Sequence, residues 1–166
     1  MKELTVVLGE EGIRTLKSYF SALQDSLPTV ADAVESAIAE YGEQALREFA
    51  PTNDIDGNEV GSVSIEQGRD GLRVVYSGSD VAYIEFGTGY IGQNNPYPDE
   101  IVLNGANWVY DVNEHGVNGW VYRRKGTGEL AHSRGMKPEA PVLKAFKKTE
   151  KEVPIIVAKV IHEKLG

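Results

Sequence analysis

Apolar and polar positions alternate along this chain with two different periods, and each period marks its own kind of element. Ile13, Leu16, Tyr19, Phe20 and Leu23 recur at helical spacing, as do Val30, Val34, Ala37, Ile38, Tyr41, Ala45 and Phe49 further on. The second series begins at Thr29 with Asp32 three residues later and meets Pro51, so two helices are predicted with a break between them. Ahead of both, Leu4 to Leu8 reads as a short strand. After them, 52–58 is rich in Asn, Asp and Gly and predicts a loop.

Val60 to Gln67 alternates with period two, and Leu72 to Tyr76 is a β-branched run. Gly68-Arg69-Asp70-Gly71 between them predicts a hairpin. Val81 to Phe86 also alternates and predicts a third strand or an irregular extended segment, after which Gly87 and Gly89 release the backbone into a loop. From Tyr90 to Ser133 the chain is rich in Gly, Asn and Pro. It carries Tyr97, Trp108, Tyr110, Trp120 and Tyr122, aromatics that argue against simple disorder. Trp108 to Asp111 and Gly119 to Arg123 predict a second hairpin across the Gly116 to Gly119 turn.

The last segment, Pro141 to Leu165, predicts a helix with Leu143, Phe146, Val153, Val157, Val160 and Ile161 near one stripe. Pro154 should kink or break it, because an interior proline removes a hydrogen bond at a cost of about 3 kcal/mol. The predicted fold is α+β: a small antiparallel sheet packed against two or more helices, with a long projecting loop or hairpin and a carboxy-terminal helix. A single domain over 1–166 is expected, its core about 1–89 and 134–166 with the excursion 90–133.

The chain of 166 residues has 41% hydrophobic residues, enough for one core, and no cysteine, which removes disulfides and thiolate chemistry. The longest uninterrupted apolar run, Val153 to Ala158, is too short to span a bilayer, and Met1-Lys2-Glu3 does not open a signal peptide. A soluble, cytosolic chain with no membrane partner is expected. The net charge of -8 is uneven: residues 1–100 hold 18 acidic and 6 basic side chains, whereas 134–166 hold 4 acidic and 8 basic. Such a split lets copies attract head to tail, and an acidic body argues against tight nucleic-acid binding.

Catalytic chemistry has little to stand on. Asp111, Asn113 and His115, with His132 downstream, are the best metal-like set; alternate spacing on a strand would point the first three to one side. In a glycine-rich loop these residue types are ordinarily turn-forming and capping groups. No nucleophile elbow, catalytic triad or phosphate loop is present. Arg123-Arg124-Lys125 beside Trp120 and Tyr122 is the one basic and aromatic cluster. Glu85, between Ile84 and Phe86, is expected to accept backbone amide protons of the loop or to pair with an arginine such as Arg134. Neither a cofactor nor a metal is expected. The competing expectation is a metal-dependent hydrolase or a glycan-binding module built on the 108–132 loop.

Four stretches taken in order resemble a known family: Val81 to Gly89, with Tyr83, Glu85, Phe86, Gly87, Thr88 and Gly89; Trp108 to Gly116; Gly119 to Tyr122; and Gly135 to Leu143, with Gly135, Pro138 and Pro141. They are similar to the head-tail connector, or tail-completion, family of tailed bacteriophages, the gene-product-ten group of lambdoid HK-type siphophages. The resemblance covers roughly residues 30 to 165. It implies a virion structural protein, not an enzyme, assembling as a homo-oligomeric ring, often a hexamer, at the head-tail interface. Its partners would be other connector proteins and tail-tube or tail-terminator proteins, with DNA passing through without tight binding. In the family Glu85, Phe86, Gly87 and Thr88 would be fold-defining. Val142 departs from the pattern, which usually has Phe there, and should fill its pocket less completely. The candidate interface comprises Trp108, Tyr110, His115, Trp120, Tyr122, Arg123 and Arg124.

Overall fold

A computed structural model describes residues 10–51, 60–110, 115–124 and 126–165. The expected strand at 4–8, the expected loop at 52–58 and the residues Asp111 and Asn113 lie outside these. The fold is α+β. In chain order the elements are α1 (Glu10–Phe49), β1 (Ser62–Gly68), β2 (Gly71–Ser77), α2 (Val81–Phe86), α3 (Gly89–Asn94), α4 (Glu100–Gly105), β3 (Trp120–Arg123), β4 (Leu130–Ser133) and α5 (Pro141–Leu165). The strands form two separate antiparallel pairs, β1 with β2 and β3 with β4.

The β1–β2 hairpin forms where its turn residues place it, with Gly68 opposite Gly71 and Val63 opposite Tyr76. One face packs on α1 and the start of α5, where Ala45, Leu46, Ala50, Val63 and Ala145 make the first core cluster. Arg47 ties helix to strand by donating to the Val63 carbonyl at 2.6 Å, and Glu35 accepts the Leu72 amide at 2.5 Å. α5 lies along α1, with Thr149 beside Gly42 and Lys148 paired with Glu48. The second cluster, Tyr97, Ala140 and Leu143 with Phe86 and Leu103 against it, joins the 90–133 segment to the head of α5.

Four expectations are corrected. The two predicted helices are one: α1 runs through Pro28. The apolar series keeps a single register across the proline, with Phe20, Leu27, Val34 and Tyr41 each seven residues apart, so the one lost hydrogen bond does not shift the apolar stripe. Val81 to Phe86 is a helix and not a strand, and the neighbours Ile84 and Glu85 are both buried. Strand alternation would put two successive side chains on opposite faces, whereas helical spacing brings Val81, Ile84 and Glu85 to one. The partner of β3 is β4 and not Trp108 to Asp111. Finally, of the kink or break expected at Pro154, the break is absent: α5 is a single helix through it.

Candidate functional site

The most concentrated polar arrangement among the described residues is centred on Glu85, which is 5% exposed in an apolar surround. Its Oε2 accepts the Val142 amide at 2.8 Å, and Oε1 accepts both the Leu143 amide at 3.2 Å and the Tyr97 hydroxyl at 2.6 Å. Val142 and Leu143 stand in the first turn of α5, whose amides have no intrahelical acceptor. Glu85 therefore caps a helix that begins 56 residues later in the chain, and its negative charge sits at the positive end of that helix dipole. Ala140, just ahead of Pro141, has a φ of 51° and carries no side chain able to do this.

Backbone bonds around Glu85 close the same junction. Thr88 and Met136 form an isolated antiparallel bridge, with N–H to O distances of 2.9 and 3.0 Å in the two directions. The Glu139 amide donates to the Ile84 carbonyl at 2.9 Å, the Ile91 amide to the Arg134 carbonyl at 3.0 Å and the Gly89 amide to the Tyr110 carbonyl at 2.6 Å. Gly135 has a φ of 95°, and a Cβ there would fall 1.9 Å from the Thr88 carbonyl oxygen. Gly87, with a φ of 76°, leaves no better room: a Cβ would sit 2.7 Å from the Pro138 nitrogen. The glycines are what allow the two strands of chain to touch.

Aromatic packing completes the unit. Phe86 lies between Tyr97 and Trp108, with ring centroids 5.0 and 5.3 Å away, and Tyr83 meets Trp108 edge-on at 5.6 Å. The Trp108 indole N–H donates to the Gly87 carbonyl at 3.0 Å, and the Tyr110 hydroxyl accepts the Tyr97 amide at 2.8 Å. Burial, followed by the hydrogen bond to Glu85 and its charge, pushes the Tyr97 hydroxyl far above the usual phenol range. Tyr76 is raised too, by burial first and then by Glu139 and Glu85.

A pH dependence follows from these two tyrosines. A raised folded-state value means that the native chain keeps a proton the unfolded chain sheds, so the stabilisation is complete below about pH 10 and is lost as pH climbs above it. Tyr97→Phe should lower stability by about 1.5–2 kcal/mol at neutral pH, by removing a bond to a buried carboxylate. The variant's stability should also fall less steeply than that of the parent above pH 10. Urea denaturation across pH 8 to 11 followed by circular dichroism measures both; equal alkaline slopes would show that Tyr97 does not hold its proton through the fold.

The remaining expected site residues spread along the β3–β4 hairpin and its base. Trp120 is half-buried, its ring 5.0 Å from that of His115. Tyr122 is exposed, Arg123 donates to the Gly128 carbonyl at 2.5 Å, and Arg124 is partly buried. Arg134 does not reach Glu85; its guanidinium stacks over Tyr90 at 4.7 Å and donates to the Val117 carbonyl at 2.9 Å. His132 contacts the Asn118 carbonyl at 2.6 Å, and His162 is exposed on α5. Among the described residues no group of three or more His, Asp or Glu is placed to hold a metal ion. Nor is any helix among them long and apolar enough to cross a membrane.

Sequence reading identified Glu85 and the glycines but missed Tyr97 as the third member of the junction. Its only signal was an aromatic between Pro96 and Pro98 in a polar segment. An apolar cleft runs beside the junction, lined by Tyr76, Val81, Phe86, Val102, Val142 and Leu143, with Glu85 on its wall. Both oxygens of that carboxylate are already occupied by protein donors, which suits a structural anchor better than a proton-transfer group. Val142 lies 42% exposed on this cleft, so the space that a larger residue would cover is open. Searches against protein-family models, curated proteins and solved structures find no match to this chain.

Proposed function

We propose that this chain is a structural subunit of the head-tail interface of a tailed bacteriophage or prophage, a tail-completion or connector protein that assembles as a ring and has no catalytic role. The observation that carries the reading is the Glu85 junction. The two stretches on which the family resemblance rests most, Val81 to Gly89 and Gly135 to Leu143, are joined there into one unit by the Glu85 carboxylate and by facing backbone groups.

Between those two stretches stands the β3–β4 hairpin, and its exposed surface supplies the contact a ring requires. Val121 and Leu130 are 63% and 69% exposed on the face that also holds Arg123 and His132. A two-stranded hairpin is marginal alone, and apolar side chains left in water on one face of it are a docking surface for a neighbour. The charge split of the sequence does not separate in space, since the basic α5 lies along the acidic α1 and Lys148 pairs with Glu48 within one subunit, so the head-to-tail contact that closes a ring rests on the hairpin. An acidic lumen would repel the duplex, so that DNA passes without sticking.

The double variant Val121→Asp, Leu130→Asp tests this. Rings should be visible for the parent chain by electron microscopy and lost in the variant, with far-ultraviolet circular dichroism unchanged and tail joining in a phage complementation assay reduced at least tenfold, on the order of 1.4 kcal/mol per contact. Rings that persist together with normal tail joining would sink the hairpin assignment. Bound metal in the purified protein, lost on His115→Ala, would favour a hydrolase.

A further inference from the structure

Among the described residues, the amino-terminal part of α1 is a largely uncovered helix face. From Ile13 to Thr29 every residue whose exposure is described is exposed except the half-buried Leu23 and Ser26, and the first buried side chain is Val30. The exposed set includes Ile13 at 56%, Phe20 at 58% and Leu27 at 53%. These are not scattered. Ile13, Leu16, Phe20, Leu23, Leu27 and Val30 follow spacings of three, four, three, four and three, the a and d positions of a heptad repeat. A strict 3.5-residue period is the pattern of a helix that pairs with another helix along its length. The same stripe continues into Val34 and Tyr41, on the part of α1 that carries β2 and α5.

We infer that residues 13–30 of α1 pair antiparallel with the same segment of a second copy of this chain. Three facts select that occupant. First, the spacing is symmetric about its midpoint: reversed, Phe20 falls opposite Leu23, Leu16 opposite Leu27 and Ile13 opposite Val30, the last already buried in its own subunit, so the exposed apolar positions of one copy answer those of the other. Second, the flanking charge allows it. Arg14 and Lys17 are the only basic residues of the segment, and an antiparallel pair in that register sets Arg14 opposite Thr29 and Lys17 beside Gln24 and Ser26. The two basic pairs then lie about 18 Å apart at 1.5 Å per residue, beyond a Debye length of about 8–10 Å, whereas a parallel pair would put like charges side by side. Third, the length fits. The free segment is about 26 Å long, and reversal puts the two folded bodies at opposite ends instead of in collision.

Ile13, Phe20 and Leu27 each offer roughly 100 Å², so the two copies together bury on the order of 600 Å² through them, at the small end of interface sizes. The expected product is a weak dimer that forms at micromolar concentration. The contact is isologous and stops at two copies, so it is separate from the head-to-tail ring contact and does not rest on the phage reading. Where both operate, two rings are joined back to back.

Sedimentation equilibrium of the full chain, on the Val121→Asp, Leu130→Asp background so that no ring intervenes, tests the pairing. A monomer–dimer equilibrium is expected, and Phe20→Asp should weaken it on the order of tenfold or more with helicity retained. Asp25→Lys, on the outer face of the same helix, should leave it unchanged. A monomer at every concentration, a trimer or tetramer, or equal dimerisation of Phe20→Asp would overturn the proposal. Orientation is read separately, since the chain has no native cysteine. A short bismaleimide should cross-link a mixture of Lys17→Cys and Gln24→Cys chains more than either alone, and equal self-linking of each would overturn the antiparallel arrangement.

Discussion

Glu85→Ala is expected to lower the folding free energy by about 3–5 kcal/mol, one of the two largest losses available to a single side chain here. The substitution strands three donors in a site that is almost closed to water: the Val142 and Leu143 amides and the Tyr97 hydroxyl. It also removes the charge at the start of a 25-residue helix. Glu85→Gln keeps one acceptor oxygen but turns an amide N–H₂ toward donors, so a loss of about 2–3 kcal/mol is expected from it. Urea denaturation measures both. If alanine cost under about 1 kcal/mol, the junction would not depend on the carboxylate. Because Glu85 and Tyr97 share a bond, the double variant Glu85→Ala, Tyr97→Phe should cost less than the sum of the two singles.

The second large effect belongs to a glycine. Gly135→Ala would put a methyl group 1.9 Å from the Thr88 carbonyl oxygen and 2.6 Å from its carbon, both backbone atoms that cannot swing aside. The residue also holds a φ of 95°, which side-chain-bearing residues rarely adopt. Relief requires the Thr88–Met136 bridge to part, and with it the bonds beside it, for an expected loss of about 3–5 kcal/mol. Gly126 provides the control. Its φ is also 95°, yet nothing lies within 4 Å of the added methyl, so Gly126→Ala should cost only the backbone strain, about 1 kcal/mol. Thermal denaturation of the pair separates the clash from the conformation, and equal shifts would mean that the close approach at Gly135 contributes nothing.

How far each element could be read from the chain depends on whether its cause is local. The β1–β2 hairpin was legible because β-branched alternation and a Gly-Arg-Asp-Gly turn lie within one short window. The 141–165 helix was legible from its proline lead-in and its stripe. Six residues were too few to separate a period of two from 3.6, and so Val81 to Phe86 read as a strand although it is α2. Thr29 with Asp32 read as a helix start because a capping pattern is local, while the register that carries α1 across Pro28 extends over forty residues. Trp108 to Tyr110 looked like a strand by composition; tertiary contacts instead direct the indole to Gly87 and the phenol to Tyr97.

By itself the sequence determined the fold class, the one well-formed hairpin, the two long helical stretches, the uneven charge, and the fact that Glu85 sits in an apolar setting where it needs donors. All of these follow from composition and from spacings within a few turns of chain. Only the tertiary structure decided which donors Glu85 finds. They are 57 and 58 residues away on α5, with Tyr97 in between, and no local pattern can register a bond whose partners are brought together by packing. The same holds for the exposed face of α1. Its spacing is written in the sequence, but whether α5, the sheet or nothing covers it is settled by where those elements end.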